Sequence, residues 1–274
     1  MSNPLDIDPA FVTEVLTRFL REELGSAGFS RALVGLSGGI DSAVSLALAA
    51  RAFGPDEVLG VMMPYRTSNP DSEGDARLLA DALGIQTRKV EITDMADGYL
   101  KAAQVEAPMR RGNVMARCRM IVLYDLSVEF KGLVVGTSNK TEILLGYSTQ
   151  WGDSASAVNP IGDLYKAQIY QLARHLEIPA ALIDKPPSAD LFEGQTDENE
   201  LGFTYAQIDP LLYLMVDERY DEDALVAAGF ERDFVRKIAG RIAGTQFKRV
   251  PPIIAKLSKR TVNQDFRYLR DWGR

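Results

Sequence analysis

Among 274 residues the chain has one cysteine and one histidine. The lone Cys118 excludes an internal disulfide and a cysteine-built zinc site. It suits a reducing compartment and reads as a packing residue in its helix. His175 ends the segment "LARHLEI". Any Ser-His-Asp triad would have to use it, and no nucleophile elbow accompanies it. It reads as a helix-end capping or surface residue. Basic excess is also missing, with 31 Lys and Arg against 38 Asp and Glu. The net charge of -7 and a pI near 5.0 argue against a nucleic-acid surface. The pair Arg110-Arg111 is too small to change that. No apolar run is long enough to span a bilayer. The opening "MSNPLDIDPAF" lacks the basic, then apolar, pattern of a signal peptide. These absences leave the expectation of a soluble, cytoplasmic protein that binds neither nucleic acid nor membrane.

What is present is an apolar fraction of 46%, enough for a sizeable core. Helical spacing runs through "VTEVLTRFLREEL", "SAVSLALAARAF", "SEGDARLLADALG" and "NVMARCRMIVLYDLSVEF". Between these lie short apolar or alternating runs, "RALVGL", "EVLGVMMP", "TRKVEI" and "GLVVG", which read as strands. Strands alternating with helices predict a parallel sheet covered on both faces, an α/β doubly wound fold. Ligands of such sheets bind beyond the carboxyl ends of the strands. After Ile143 the pattern changes. "GYSTQWGDSASAVNPIGD" and "KPPSADLFEGQTDENELG" read as long polar loops, and the last third as mostly helical. No repeat or linker interrupts the chain, so residues 1–274 read as a single domain.

The junction "LVGLSGGIDSAVSLALA", Leu33 to Ala49, passes from buried strand through two glycines into a helix. A helix N-terminus offers unpaired N–H groups and partial positive charge, both suited to phosphate. Gly38 and Gly39 let the backbone approach closely, and Ser37 and Ser42 add hydroxyls. Asp41 would repel phosphate unless a cation lies between them, Mg²⁺ being the usual bridge. Neither G-x-x-x-x-G-K-[ST] nor G-x-G-x-x-G fits. A plain glycine turn capped by Ser and Asp is the alternative reading.

The stretch resembles the S-G-G-[IV]-D-S signature of the ATP pyrophosphatase family, which cleaves ATP between the α- and β-phosphates to activate an acid as an adenylate. "VVGTSNKTEILLGYSTQWGD", "GDLYKAQIYQLA", "KPPSADLFEGQTDE" and "FKRVPP" resemble, in order, segments of the NAD synthetases. That resemblance covers nearly the whole chain. It implies a Rossmann-like fold of the adenine-nucleotide alpha-hydrolase type with a helical C-terminal part. It implies conversion of deamido-NAD to NAD with ATP, Mg²⁺ and ammonia, in a homodimer whose acceptor site lies across the interface. Glutamine-using relatives carry an extra N-terminal domain with a cysteine nucleophile. Only about thirty residues precede the first strand here, so free ammonia is the expected nitrogen donor.

By the same resemblance, Asp41 and Glu142 are the magnesium carboxylates; a solvated Glu at a helix start is the plainer reading of Glu142. Thr137 and Ser188 match ATP-contacting hydroxyls, with helix and turn capping as their ordinary roles. Lys166 matches the lysine on the ATP phosphates and would, with Asp41, carry the chemistry alongside Ser37, Gly38, Gly39 and Ser42. Arg117 and Lys248 match residues that contact deamido-NAD; Arg117 and Arg119 could equally be plain surface charges. Met62 and Met63 end a strand, as core or as lining of an adenine pocket. Gln150, Ala157 and Phe247 depart from the family pattern, which often has Lys, Asp and His there. All three lie on the deamido-NAD side, so ATP activation stays intact while the acceptor's grip changes. The competing readings are a relative that amidates another acid or thiolates tRNA, and a nucleotide-binding regulator without turnover.

Overall fold

The computed structural model describes residues 3–187, 197–262 and 265. The helix Pro9–Ser26 (α1) starts on Asp8, whose carboxylate accepts from the Ala10 and Phe11 N–H groups. There follow Ala32–Leu36 (β1), Ile40–Phe53 (α2), Val58–Met62 (β2), Pro70–Leu83 (α3), Gln86–Lys89 (β3), Thr93–Ala102 (α4), Pro108–Phe130 (α5) and Leu133–Val135 (β4). The strands form a parallel sheet in the order β3-β2-β1-β4.

Alternation along the strands builds two cores. Ala32, Val34, Leu36, Val58 and Met62 face α1, α2 and the later helix Lys166–His175 (α7). Leu33, Leu59, Val61 and Met63 face α4 and α5, where Cys118 is buried among them. Both faces are therefore covered, as the near-continuous apolar strands require. β3 is the exception: Gln-Thr-Arg-Lys lies at the sheet edge and stays largely exposed. The expected strand "TRKVEI" is assigned only to Lys89, although the Val90 and Ile92 N–H groups continue the pairing onto Met62 and Pro64.

The chain leaves β1 toward β2 and β3, then returns to the other side of β1 as β4. The carboxyl ends of β1 and β4 flank the crevice that this reversal opens. Beyond β4 the expected long loop is pinned to the sheet. Ala157 N–H donates to Val134 O, Gly136 N–H donates to Val158 O, and Val158 bridges Val135 in parallel. Pro160, without an N–H, cannot extend that pairing.

The remaining elements are Lys140–Leu145 (α6), Ala180–Ile183 (α8), Asp197–Leu201 (α9), Tyr205–Leu212 (α10), Glu222–Ala227 (α11) and Arg232–Gly244 (α12). A one-turn π-helix, Tyr213–Asp217, continues α10. The C-terminal helices bury Leu201, Ile208, Leu212, Leu225 and Ile238 in a third core shared with Leu145 and Tyr165. This core holds α6 and the start of α7 from behind, opposite the sheet. Among the described residues, no helix is long and apolar enough to cross a membrane.

Candidate active site

The turn after β1 has the form that the glycine pair requires. Gly38 has φ +74, and a Cβ there would lie 2.5 Å from the Ser72 carbonyl oxygen. Any other residue would strain the backbone and push away the first turn of α3. Gly39 is the N-cap of α2 and has no side-chain hydrogen bond, so the first N–H groups of that helix stay available. The hydroxyls of Ser37 and Ser42 lie 3.2 Å apart, and Ser42 Oγ donates to Gly39 O. This internal bonding shapes the turn before any ligand arrives.

Asp41, in the first turn of α2, meets two residues from elsewhere. Asn139 Nδ2 donates to Asp41 Oδ1 at 2.9 Å, and the ammonium of Lys166 donates to Asp41 Oδ2. Asn139 is also the N-cap of α6, in a capping box with Glu142. Thr137 is therefore not the cap of this helix; it lines the cleft at the end of β4. Glu142 is not a solvated helix-start residue either. Its side chain is 16% exposed, and its Oε1 lies 3.7 Å from Lys166 Nζ.

Lys166 opens α7 and is 1% exposed. Burial alone would lower its pKa, but the carboxylates of Asp41 and Glu142 outweigh burial and hold it above the ordinary lysine value. Tyr205 lies beneath it, 5.0 Å from ring centroid to Nζ. Glu142 is pushed well above the carboxylate range, first by burial and then by the charge of Asp41, with Lys166 opposing. Two crowded carboxylates with one lysine between them suit a divalent cation that cancels their repulsion and completes its shell with phosphate and water. Among the described residues no set of three or more His, Cys, Asp or Glu forms a closed cage. An open pair is the donor set expected when the ligand's own oxygens share the metal.

These groups line one cleft of about 1240 Å³. Ser37, Gly38, Gly39, Asp41, Ser42, Thr137, Glu142 and Lys166 all border it. Ser188 lies outside the described residues. Met62 and Met63 are both core and lining. The cleft also holds residues to which the sequence assigned no role there. Asp197 is 5% exposed and accepts from the Tyr147 and Tyr205 hydroxyls at 3.1 Å each. Lys185 borders the cleft and pairs with Asp75 of α3 at 2.7 Å. Arg119 lines it with Nε on Met63 O at 3.1 Å, whereas Arg117 does not line it. The "ARCRM" register in α5 separates the two arginines, and helical geometry was the available signal.

The residues expected on the acceptor side gather around one loop. Arg117 donates to Gln150 O at 3.1 Å, and Gln150 Nε2 donates to Phe247 O at 3.3 Å. Lys248 spends its ammonium on the carbonyls of Gly146 and Ser148, and burial lowers its pKa. Phe247 is 57% exposed. The same loop turns Tyr147, Gly152 and Asp153 toward the cleft. Ala157 stands apart, exposed on the segment paired to β4. His175, at the exposed end of α7, plays no part in the site.

A family model described as NAD synthase matches residues 12–252. The chain is 55% identical to the NH3-dependent NAD+ synthetase of Trichlorobacter lovleyi, over 98% of this chain and 99% of that protein. It is 53% identical to the protein of the same name from Chlorobaculum tepidum, over 98% and 97%. An NH3-dependent NAD synthetase from Campylobacter jejuni, solved with a nitrate ion, has a TM-score of 0.79 at 32% identity, covering 92% of this chain and all of that one. An NMN synthetase from Francisella tularensis has a TM-score of 0.81 at 29% identity with the same coverage.

Proposed function

The chain belongs to the NAD synthase family, and from that premise we propose that it is a ligase that amidates deamido-NAD to NAD with ATP and free ammonia, releasing AMP and pyrophosphate. One observation carries the reading. The Ser37–Ser42 turn, the Asp41 and Glu142 carboxylates and the buried Lys166 converge on a single cleft at the sheet's switch point.

The N–H groups of the first turn of α2 and the hydroxyls of Ser37 and Ser42 hold the β- and γ-phosphates. Thr137, and by resemblance Ser188, add hydroxyls to ATP. Mg²⁺ held by Asp41 and Glu142 would neutralise charge on the leaving pyrophosphate. A nicotinate carboxylate oxygen attacks the α-phosphorus, and the bond to the bridging oxygen of pyrophosphate breaks. Lys166, kept protonated by its carboxylate partners, stabilises the charge that develops there. Ammonia then attacks the acyl carbon, AMP leaves, and the nitrogen gives up a proton to solvent. Positioning and electrostatics carry such chemistry, and no general base is assigned.

On the acceptor side, Arg117, Gln150, Phe247 and Lys248 shape the loop that faces deamido-NAD, with Phe247 free to stack on a flat ring. Ala157, assigned to that side by resemblance alone, stands apart from this loop and brings no charge. The working state is a cytoplasmic homodimer. Ile121, Tyr124 and Val128 form an exposed apolar stripe on α5, at 52%, 40% and 78% exposure. A two-fold contact through this helix would bury them.

The test offers the purified protein ATP, Mg²⁺ and ammonium with either deamido-NAD or nicotinate mononucleotide, and follows AMP. AMP formed with deamido-NAD and ammonium is the expected result. Preference for the mononucleotide would move the reading toward the reaction named for the Francisella protein. AMP with neither would leave a nucleotide-binding protein without this turnover.

A further inference from the structure

Glu142 and Lys166 sit in the first turns of two helices, α6 and α7, separated by the whole loop of residues 146–165. Their side chains can act together only if those two turns are held in fixed register. The residues that hold them are neither of the pair. Lys166 N–H donates to Thr141 Oγ1 at 3.1 Å. The Thr141 hydroxyl in turn donates to Asp209 Oδ1 at 2.6 Å. The other carboxylate oxygen, Oδ2, accepts from Ala167 N–H at 2.8 Å. Thr141 and Asp209 are both 0% exposed, and neither lines the cleft. One buried carboxylate on α10 thus grips the immediate neighbour of Glu142 and the immediate neighbour of Lys166. A buried carboxylate is costly, and stability alone offers little reason to keep one where an apolar side chain could pack.

We infer that Asp209 is a positioning residue: through Thr141 and Ala167 it fixes the first turns of α6 and α7 so that Glu142 and Lys166 meet Asp41 and the phosphates together. The inference rests on the reading of the cleft given above. Asp209 meets no reactant itself. Asp209→Asn nearly preserves shape but offers only one acceptor oxygen to two donors. With the amide oxygen kept on Ala167 N–H, the Thr141 bond must reverse so that Nδ2 donates to the hydroxyl, and a charge-assisted bond becomes a weaker neutral one that holds the start of α6 less firmly. A misplacement on the order of 1 Å costs about 10²-fold in turnover.

The experiment measures Mg²⁺·ATP binding by calorimetry without acceptor, and then kcat and KM, at a temperature where circular dichroism shows each variant folded. Asp209→Asn should weaken Mg²⁺·ATP binding by about tenfold and lower kcat further, by about 10²-fold. Thr141→Ser keeps the hydroxyl and should stay near wild type in both. Thr141→Val should match Asp209→Asn, and the double variant should lose little more than either single one, because one chain of bonds is broken. A carboxylate that only stabilised the fold would lower the active fraction and leave the dissociation constant and KM unchanged. Unchanged binding and kcat in folded Asp209→Asn, or a Thr141→Ser variant no better than Thr141→Val, overturns the inference. If the wild type binds Mg²⁺·ATP but ignores deamido-NAD, the acceptor reading has failed, and the binding arm still decides the role of Asp209.

Discussion

Lys166→Met tests whether the centre of the site is one coupled set of buried charges. Methionine has nearly the length of lysine and can occupy the same volume, so the change is electrostatic. The ammonium now contacts Asp41 and stands 3.7 Å from Glu142, with side-chain exposures of 2%, 15% and 16%. At an effective dielectric near 20, a unit pair at such a distance is worth about 4 kcal/mol. Burying the ammonium offsets part of this, and methionine is spared that cost. Removing one partner of a buried pair therefore costs about 3–5 kcal/mol, because the Asp41 carboxylate is left beside Glu142 without its cation. Against a native stability of about 5–15 kcal/mol, a loss of that size is large enough for unfolding to resolve. The assay is urea unfolding in a chelator, where an unchanged m-value confirms that the same structure unfolds. Adding Glu142→Gln to Lys166→Met should restore at least half of the loss, since Asp41 keeps its bond from Asn139. Stability of Lys166→Met within about 1 kcal/mol of wild type, or a double variant weaker than the single one, would refute the reasoning.

The same cluster and the exposed face of α5 each add an expected outcome. The folded pKa of Glu142 is raised above its ordinary 4.5, by burial first and the charge of Asp41 second. Its protonated form is therefore favoured on folding, so its contribution is full below 4.5 and is lost as pH rises through the raised value. In a chelator, Glu142→Gln should gain on wild type steadily from pH 4.5 toward neutrality while losing turnover. Urea midpoints that stay parallel across that window would count against the crowded pair. For the assembly, sedimentation should give twice 30.2 kDa, and Val128→Asp on the exposed stripe of α5 should shift the protein toward monomer; a wild-type mass of one chain at micromolar concentration would exclude a stable dimer.

Much of this was legible in the sequence because it depends on short range. Alternation in "RALVGL" and "EVLGVMMP" marks strands that show their two sides to two cores, and the glycine pair after β1 marks a turn that only glycine can make. Asp41 could be placed from the glycine turn, whereas Glu142 and Lys166 were expected beside it only through the family resemblance, and the fold sets all three together. Tertiary structure decided what local pattern cannot encode. The cap of α6 is Asn139 and not Thr137: its Oδ1 accepts from Glu142 N–H while its Nδ2 reaches Asp41 on another loop. Arg119 and not Arg117 lines the cleft, because the packing of α5 on the sheet chooses which side of the helix looks inward. Asp197 and Asp209 looked like ordinary acids in polar or helical segments, and only burial against Tyr147, Tyr205, Thr141 and Ala167 gives them their settings. The physical reason is range: backbone conformation answers to neighbours a few residues away, whereas the charge state of a buried group answers to whatever the fold brings within a few ångströms.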